Sequence, residues 1–322
     1  MIKLQTPVTD EKCKVGISYK DKILMLGSCF SDSIGKHLAD YGFDVMVNPF
    51  GTLYNPISIL RAIERLSGRM ATDPGTEASG SYGHFTEEDC VRIGAGDQRW
   101  CSFSHHTSFA RADKEEFLEN ANATLQEARD FFASCDKIII TLGTSWCFRH
   151  IGTGHIVSNC LKHPAAEFVR ERLSASEVTD TLRQIADLCG IFSPAASTKP
   201  KQMILTVSPI RHFKDGAHGN QISKSALLLG IDDFLCTCPV DLSMTPYYPA
   251  DYFPSYEIVM DELRDYRFYA EDMCHPSSQT VGYIRDRFLD WALPSSEKSL
   301  LEENIRAFKA SAHRKPLYTR FL

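Results

Sequence analysis

Two short stretches of this 322-residue chain carry residue types that could do chemistry together. The first is "KILMLGSCFSDSIGKHL" from Lys22, an apolar run that ends in Gly27-Ser28 and passes directly into a helix-like pattern. A serine just past a strand, at a helix N-terminus, sits where unpaired amides can support a developing oxyanion. Glycine for a turn and serine for a helix cap is the plainer meaning of the same two residues. The second is "YRFYAEDMCHPSS", where Asp272 and His275 form an Asp-x-x-His unit ahead of a helix that starts near Pro276. That spacing lets one loop carry a base and the carboxylate that orients it; alone it would equally suit a metal pair or a helix cap.

Other chemistries fail on spacing. A phosphate-binding loop needs a glycine where this chain has Phe30, and Lys36 is followed by His37 instead of Ser or Thr. The stretch "GSCFSDSIG" has no Gly-x-Gly pair, so it lacks a dinucleotide fingerprint. His105, His106, His150 and His155 lack the grouping a zinc site requires, so they are expected at the surface or in hydrogen bonds, with His106 a candidate pocket-lining residue. Cys29 is expected to be a small buried residue, because a neighbour in a helix projects about 100° away from Ser28. Cys274 is expected to point into the domain, and Cys236 and Cys238 have no partner pair. No metal or organic cofactor is expected.

These residues must be positioned by a scaffold, and the pattern names one. Strand candidates begin at Lys22, Phe43, Lys137, Gln202 and Asp251, the first, third and fourth being nearly continuous apolar runs typical of parallel strands covered on both faces. Between them lie amphipathic helices. One is read with Leu118, Ala121, Leu125, Ala128 and Phe132 on a single face; another starts at Ser174 and Glu177, a capping box, and stops near Gly190. This alternation predicts a doubly wound α/β sheet of about five parallel strands, with ligands at the carboxyl ends of the strands. Arg211 and His212, in "SPIRH" after the fourth strand, should then emerge at that edge, where arginine could hold a carboxylate or a sugar oxygen, or brace the loop. An insertion with a short hairpin is expected over about 67–113, and a helical extension over about 295–322, in a single domain spanning 1–322.

A formal net charge of −6 disfavours general nucleic-acid or membrane-surface binding. The N-terminus lacks the apolar core of a secretory signal, and eleven cysteines, an odd number, suit reduced thiols in a cytoplasmic setting.

"GSCFS" from Gly27 resembles the signature of the GSCFA-domain family, with serine replacing the final alanine. The resemblance continues through "NPFGTLYNP", "TLGTSW", "SPIRH" and "RDYRFYAEDMCHP", in order over most of the chain. It implies the SGNH, or GDSL-like, hydrolase group and a three-layer α/β/α flavodoxin-like fold. It also implies Ser28 as nucleophile, with Asp272 and His275 as its partners on the last loop. Such hydrolases supply oxyanion donors from the serine amide, a glycine amide after the second strand and an asparagine after the third. Here Gly51 fills the second place, while the third reads Gly143-Thr144-Ser145, making Ser145 the first substitute and Thr144 or Asn159 the others. The function implied is a serine esterase acting on a small or carbohydrate O-acyl ester. A non-catalytic sugar- or ester-binding module is the alternative, and a metal-dependent hydrolase using the histidine-rich insertion a third.

Overall fold

The computed structural model describes residues 5–9, 12–70, 83–192, 200–238 and 248–314. Residues 71–82 of the expected insertion and 315–322 of the expected extension lie outside the described residues. Five strands form one sheet: β1 (Lys22–Gly27), β2 (Asp44–Val47), β3 (Lys137–Leu142), β4 (Gln202–Val207) and β5 (Ala250–Phe253). Every neighbouring pair is parallel and the order is β5-β4-β3-β1-β2. This is the flavodoxin-like order, and it reverses direction between β1 and β3, where such sheets bind ligands.

Strand residues alternate between two cores, as a pleated period of two requires. Leu24 and Leu26 of β1, Ile138 and Ile140 of β3, and Met203 and Leu205 of β4 face one side. There they meet α2 (Pro56–Ser67), α3 (Lys114–Ser134), α4 (Ala175–Leu188) and α5 (Gly216–Thr237). Ile23, Met25, Ile139 and Ile204 face the other, against α1 (Cys29–Asp40) and α6 (Ser278–Ala292). The result is a three-layer α/β/α fold. Packing on α1 is close: a Cβ on Gly35 would lie 2.4 Å from a methyl of Val47.

Local chemistry explains most element ends. Ser174 and Glu177 make the reciprocal capping box that starts α4, and Gly190 leaves its end with φ 69°. The fifth strand is shorter than the sequence suggests. Pro254 supplies no ladder N–H, and after it the chain turns through Ser255–Glu257 into a π-helix, Ile258–Leu263. In α3 the fully buried residue is Phe117, with Leu118 only packed at the margin, so the buried stripe starts one residue earlier than expected. After Pro294 a single 3-10 turn leads into α7 (Lys298–Arg314), whose Leu301, Ile305 and Phe308 rest on the α1–α6 core.

Two small antiparallel sheets stand apart from the central one. Val91–Arg92 pairs with Trp100–Cys101 within the stretch after β2, which is the expected hairpin. Trp146–His150, Ile156–Val157 and Phe168–Arg172 form a three-stranded sheet between β3 and α4. Periodicity did not reveal it, because these strands are half-exposed and carry charged or polar residues on both faces, Arg149 and Glu171 on one and His150, Arg170 and Arg172 on the other.

Gly27 closes β1 against β3. Its φ is 145°, and a Cβ there would lie 2.2 Å from the Thr141 carbonyl oxygen. Gly68, at the end of α2 with φ 67°, has open space around it. Gly27→Ala is therefore expected to cost about 3 kcal/mol or more, against ~1–2 kcal/mol for Gly68→Ala, where only the left-handed backbone is penalised. Urea denaturation of both variants checks this, and equal losses would contradict the backbone collision.

Candidate active site

Because the strands are parallel, their carboxyl ends share one edge, and the loops leaving β1, β2, β3 and β4 meet there. A cleft of about 800 Å³ opens among them. The β1 loop contributes Cys29, the β2 loop Tyr54 and Asn55, the β3 loop Thr144 and Trp146, and the β4 loop Arg211 and His212. Cys274 and His275, just ahead of α6, complete one wall. His106 and Asn159 also line it.

The loop before α6 is built to present an imidazole. Asp272 Oδ1 accepts the amides of Cys274 and His275, each at 2.9 Å, and Oδ2 lies 2.6 Å from His275 Nδ1. The His275 amide foremost, then its ring, hold the Asp272 carboxyl down at about 2. At neutral pH this carboxylate can only accept, so His275 Nδ1 carries the hydrogen of that contact and Nε2 is the nitrogen left for other partners. Both side chains are half-exposed, so the pair is a geometric device more than a stabilising one.

Ser28 is placed differently from the expectation. It is the N-cap of α1, 1% exposed, with an extended backbone (φ −68°, ψ 172°) and Oγ turned back to accept the Phe30 amide at 3.3 Å. The residue of this turn that reaches the cleft is the next one. Cys29 occupies the first helical position, half-buried, on the wall shared with His275. The two neighbours do diverge, as helix geometry demands, but the serine is the one turned inward. Burial, then the Asp32 carboxylate, push the Cys29 thiol up to about 11, while the amides of Cys29 and Phe30 act in the opposite sense. The resting group is a thiol that needs a base.

The three expected oxyanion donors are all committed elsewhere. The Ser28 amide donates to Thr141 O at 3.2 Å, which continues the sheet, and the Gly51 amide donates to Asn48 O at 2.7 Å within its turn. Ser145 is fully buried, its Oγ donating to Ser223 Oγ at 3.2 Å. Thr144 Oγ1 is held by Ser223 and by the Trp146 amide. Donors remain nonetheless. The first-position amide of α1, that of Cys29, has no acceptor within its helix. Asn55 caps α2 through Oδ1, accepting from Ser58, which leaves the NH₂ of a cleft-lining amide for a ligand. Trp146 Nε1 is buried without a partner among the described residues. Sequence reading missed Asn55 and Trp146; the Asn-Pro signal for a helix start was visible, but which loop it faces was not.

Behind the cleft the anchoring is polar. Asn48, in a left-handed conformation (φ 43°), accepts the Gly27 amide at 2.8 Å and donates to Asp32 at 2.6 Å, so it ties β1, the β2 loop and α1 together. On the other side Lys224 of α5, 1% exposed, donates to Gly143 O and Ser208 O, each at 2.6 Å. It clamps the ends of β3 and β4. His212, beside this ammonium, is pushed down to about 4 by burial first and Lys224 second, so it is neutral. His105 lies among the rings of Phe50, Phe85, Phe109 and Phe117 with Nδ1 2.7 Å from Ser102 Oγ. Among the described residues no three His, Cys, Asp or Glu side chains converge as a metal site would need. No described helix is long and apolar enough to cross a membrane.

Comparison with known proteins agrees with the motif order. The family model described as the GSCFA family matches residues 22–288, which reach from the start of β1 through most of α6. No curated protein and no solved structure matches the chain.

Burial pushes the Lys224 ammonium down to about 7. Between that value and its ordinary range the unfolded chain binds the proton and the folded one does not, so this group makes stability rise as pH increases. The gain in urea midpoint from pH 6.5 to 8.5 should accordingly be larger in the native protein than in Lys224→Met. An identical pH dependence in the two would show that Lys224 stays charged throughout.

Proposed function

The chain belongs to the GSCFA family, and on that premise we propose that it is an acyl hydrolase of SGNH type whose nucleophile is the thiol of Cys29. One observation carries the reading: Cys29 and His275 line the same cleft while Ser28 is buried as a cap. The substrate is an O-acyl ester of a small molecule or carbohydrate.

His275 Nε2 takes the Cys29 proton as Sγ adds to the ester carbonyl carbon. The negative charge that develops on the carbonyl oxygen is met by the Cys29 amide at the head of α1 and by the Asn55 side-chain amide. Collapse expels the alcohol, which receives the proton from His275, and leaves an acyl thioester on Cys29. Water, deprotonated by the same imidazole, then releases the carboxylic acid and restores the thiol. Asp272 keeps the tautomer fixed and stabilises the imidazolium in each half-reaction. With the thiol held near 11, proton transfer to His275 accompanies attack; a preformed thiolate is not the resting state. Lys224, clamping the loops behind the cleft, lends positive potential to both the sulfur and the oxyanion while it is protonated, below about pH 7.

Kinetics on a short-chain aryl ester test the assignment. Cys29→Ala and His275→Ala should each lower kcat/KM by about 10³-fold or more, and the double variant little further, because both serve one proton-transfer unit. Ser28→Ala should keep activity within about tenfold and lose ~0.5–2 kcal/mol of stability with the cap. Acylation by a slow ester should appear on the Cys29 peptide by mass spectrometry. Loss of activity in Ser28→Ala with Cys29→Ala still active would return the nucleophile to the serine. Absence of turnover and of acylation in the native protein would favour the binding module.

A further inference from the structure

A second cavity, about 400 Å³, adjoins the Cys29 cleft and shares Arg211, His212 and Phe213 with it as a common wall. Its far side is the π-helix Ile258–Leu263, which ends at Arg264 with φ 34°. Single π turns and left-handed non-glycine residues are costly and recur at functional sites. Tyr256, its hydroxyl bonded to Gln221 at 2.7 Å, fixes the floor.

Arg211 stands between the two cavities, ringed by aromatic faces. Its guanidinium carbon is 5.1 Å from the Phe213 centroid, 5.7 Å from Tyr266 and 5.8 Å from Tyr269. An arginine held by ring faces keeps its N–H edge free for a planar carboxylate. Nearby carboxylates are already occupied: Asp265 by Arg267, Asp272 by His275, Asp261 by Arg264 and Asp215 by Arg170. Among the described residues neither Arg211 nor Lys214 of the adjoining cleft has an ion-pair partner. Two unneutralised cations thus face the paired cavities of a chain whose net charge is −6. Phe213 and Tyr266 are 53% and 65% exposed, rings that offer flat apolar faces, with the Tyr266 hydroxyl as a polar edge.

We infer that this cavity is a subsite for a carboxylate-bearing sugar, a uronate unit of an extended substrate whose acyl ester lies at Cys29. The inference rests on the proposed hydrolase reading only for which cavity holds the ester. The uronate carboxylate takes the Arg211 fork, and the pyranose ring lies against Tyr266 and Phe213. Occupancy is felt at the base. The Arg211 amide donates to Cys274 O at 3.2 Å and Cys274 Sγ donates to Arg211 O at 2.7 Å, while Tyr269 bridges Pro276 on the same loop that carries His275.

Equilibrium binding to the Cys29→Ala protein, in which turnover cannot obscure the measurement, tests this with a galacturonate trimer and the neutral galactose trimer. The acidic trimer should bind at least about tenfold more tightly, as charge-assisted hydrogen bonds imply. Arg211→Gln should remove that preference, Arg211→Lys should restore part of it, and Tyr266→Ala, at an exposed position, should weaken both trimers. Equal binding of the two trimers, or a preference that survives Arg211→Gln, overturns the subsite. If the native protein hydrolyses aryl esters and the trimers bind alike, the subsite alone falls. If acidic binding holds and no ester is turned over, the hydrolase reading alone falls.

Discussion

The meeting of β1 and β3 leaves no room for a side chain on Gly27, and much of the site follows from that constraint. With Thr141 O 2.2 Å from the place of a Cβ, the backbone of β1 runs to the very end of the sheet and must turn at once. The Ser28 amide still belongs to the sheet ladder through Thr141 O, while its side chain already belongs to α1. With its amide in the ladder and its buried hydroxyl capping α1, Ser28 does not line the cleft. Its successor, Cys29, is the first residue of the turn whose amide no helix can use and which lines the cleft.

The same economy governs the neighbouring loops. The amides of Ser28 and Gly51 and the hydroxyls of Ser145 and Thr144, nominated by the motif order as oxyanion donors, close a turn or a buried hydrogen bond instead, since a buried polar group left unpaired would cost ~1–3 kcal/mol. Ser145 and Thr144 share Ser223, and Gly51 answers to Asn48. What stays open are groups with a second function to spare: an amide that caps with its oxygen, and a helix-head N–H that no helix can use. Lys224 and Asn48 serve as fasteners behind the cleft, one cationic and one neutral, each joining two loops that the sheet brings side by side.

Electrostatics divide the edge into regions of different character. Around Cys29, burial and Asp32 keep the sulfur protonated, and the Asp272–His275 pair lies at the solvent side. Across Arg211 the balance turns cationic and aromatic. Both regions share the backbone of the β4 loop and of the turn before α6, so Arg211 on one side and the imidazole on the other are held by the same few hydrogen bonds.

Much of this was legible in the linear chain. Apolar runs at Lys22, Lys137 and Gln202 specify buried parallel strands because only such strands are covered on both faces. The Ser174–Glu177 box specifies a helix start, and the Asp272–His275 spacing a carboxylate–imidazole contact, because those partners are a few bonds apart and need no distant neighbour. That Ser28 could cap a helix was legible locally, but its burial depended on Thr141, more than a hundred residues away, which takes the serine amide. The three-stranded sheet after β3 was hidden because its strands are half-exposed and polar. The fates of Gly51 and Ser145 were hidden because their partners, Asn48 and Ser223, come from other turns of the chain. Sequence by itself determined the main strands and helices and which loop pairs Asp272 with His275, through periodicity and short-range hydrogen bonds. Only the tertiary structure decided which side chain of each loop faces the cleft, because that choice is made by whichever distant backbone group reaches the competing donors first.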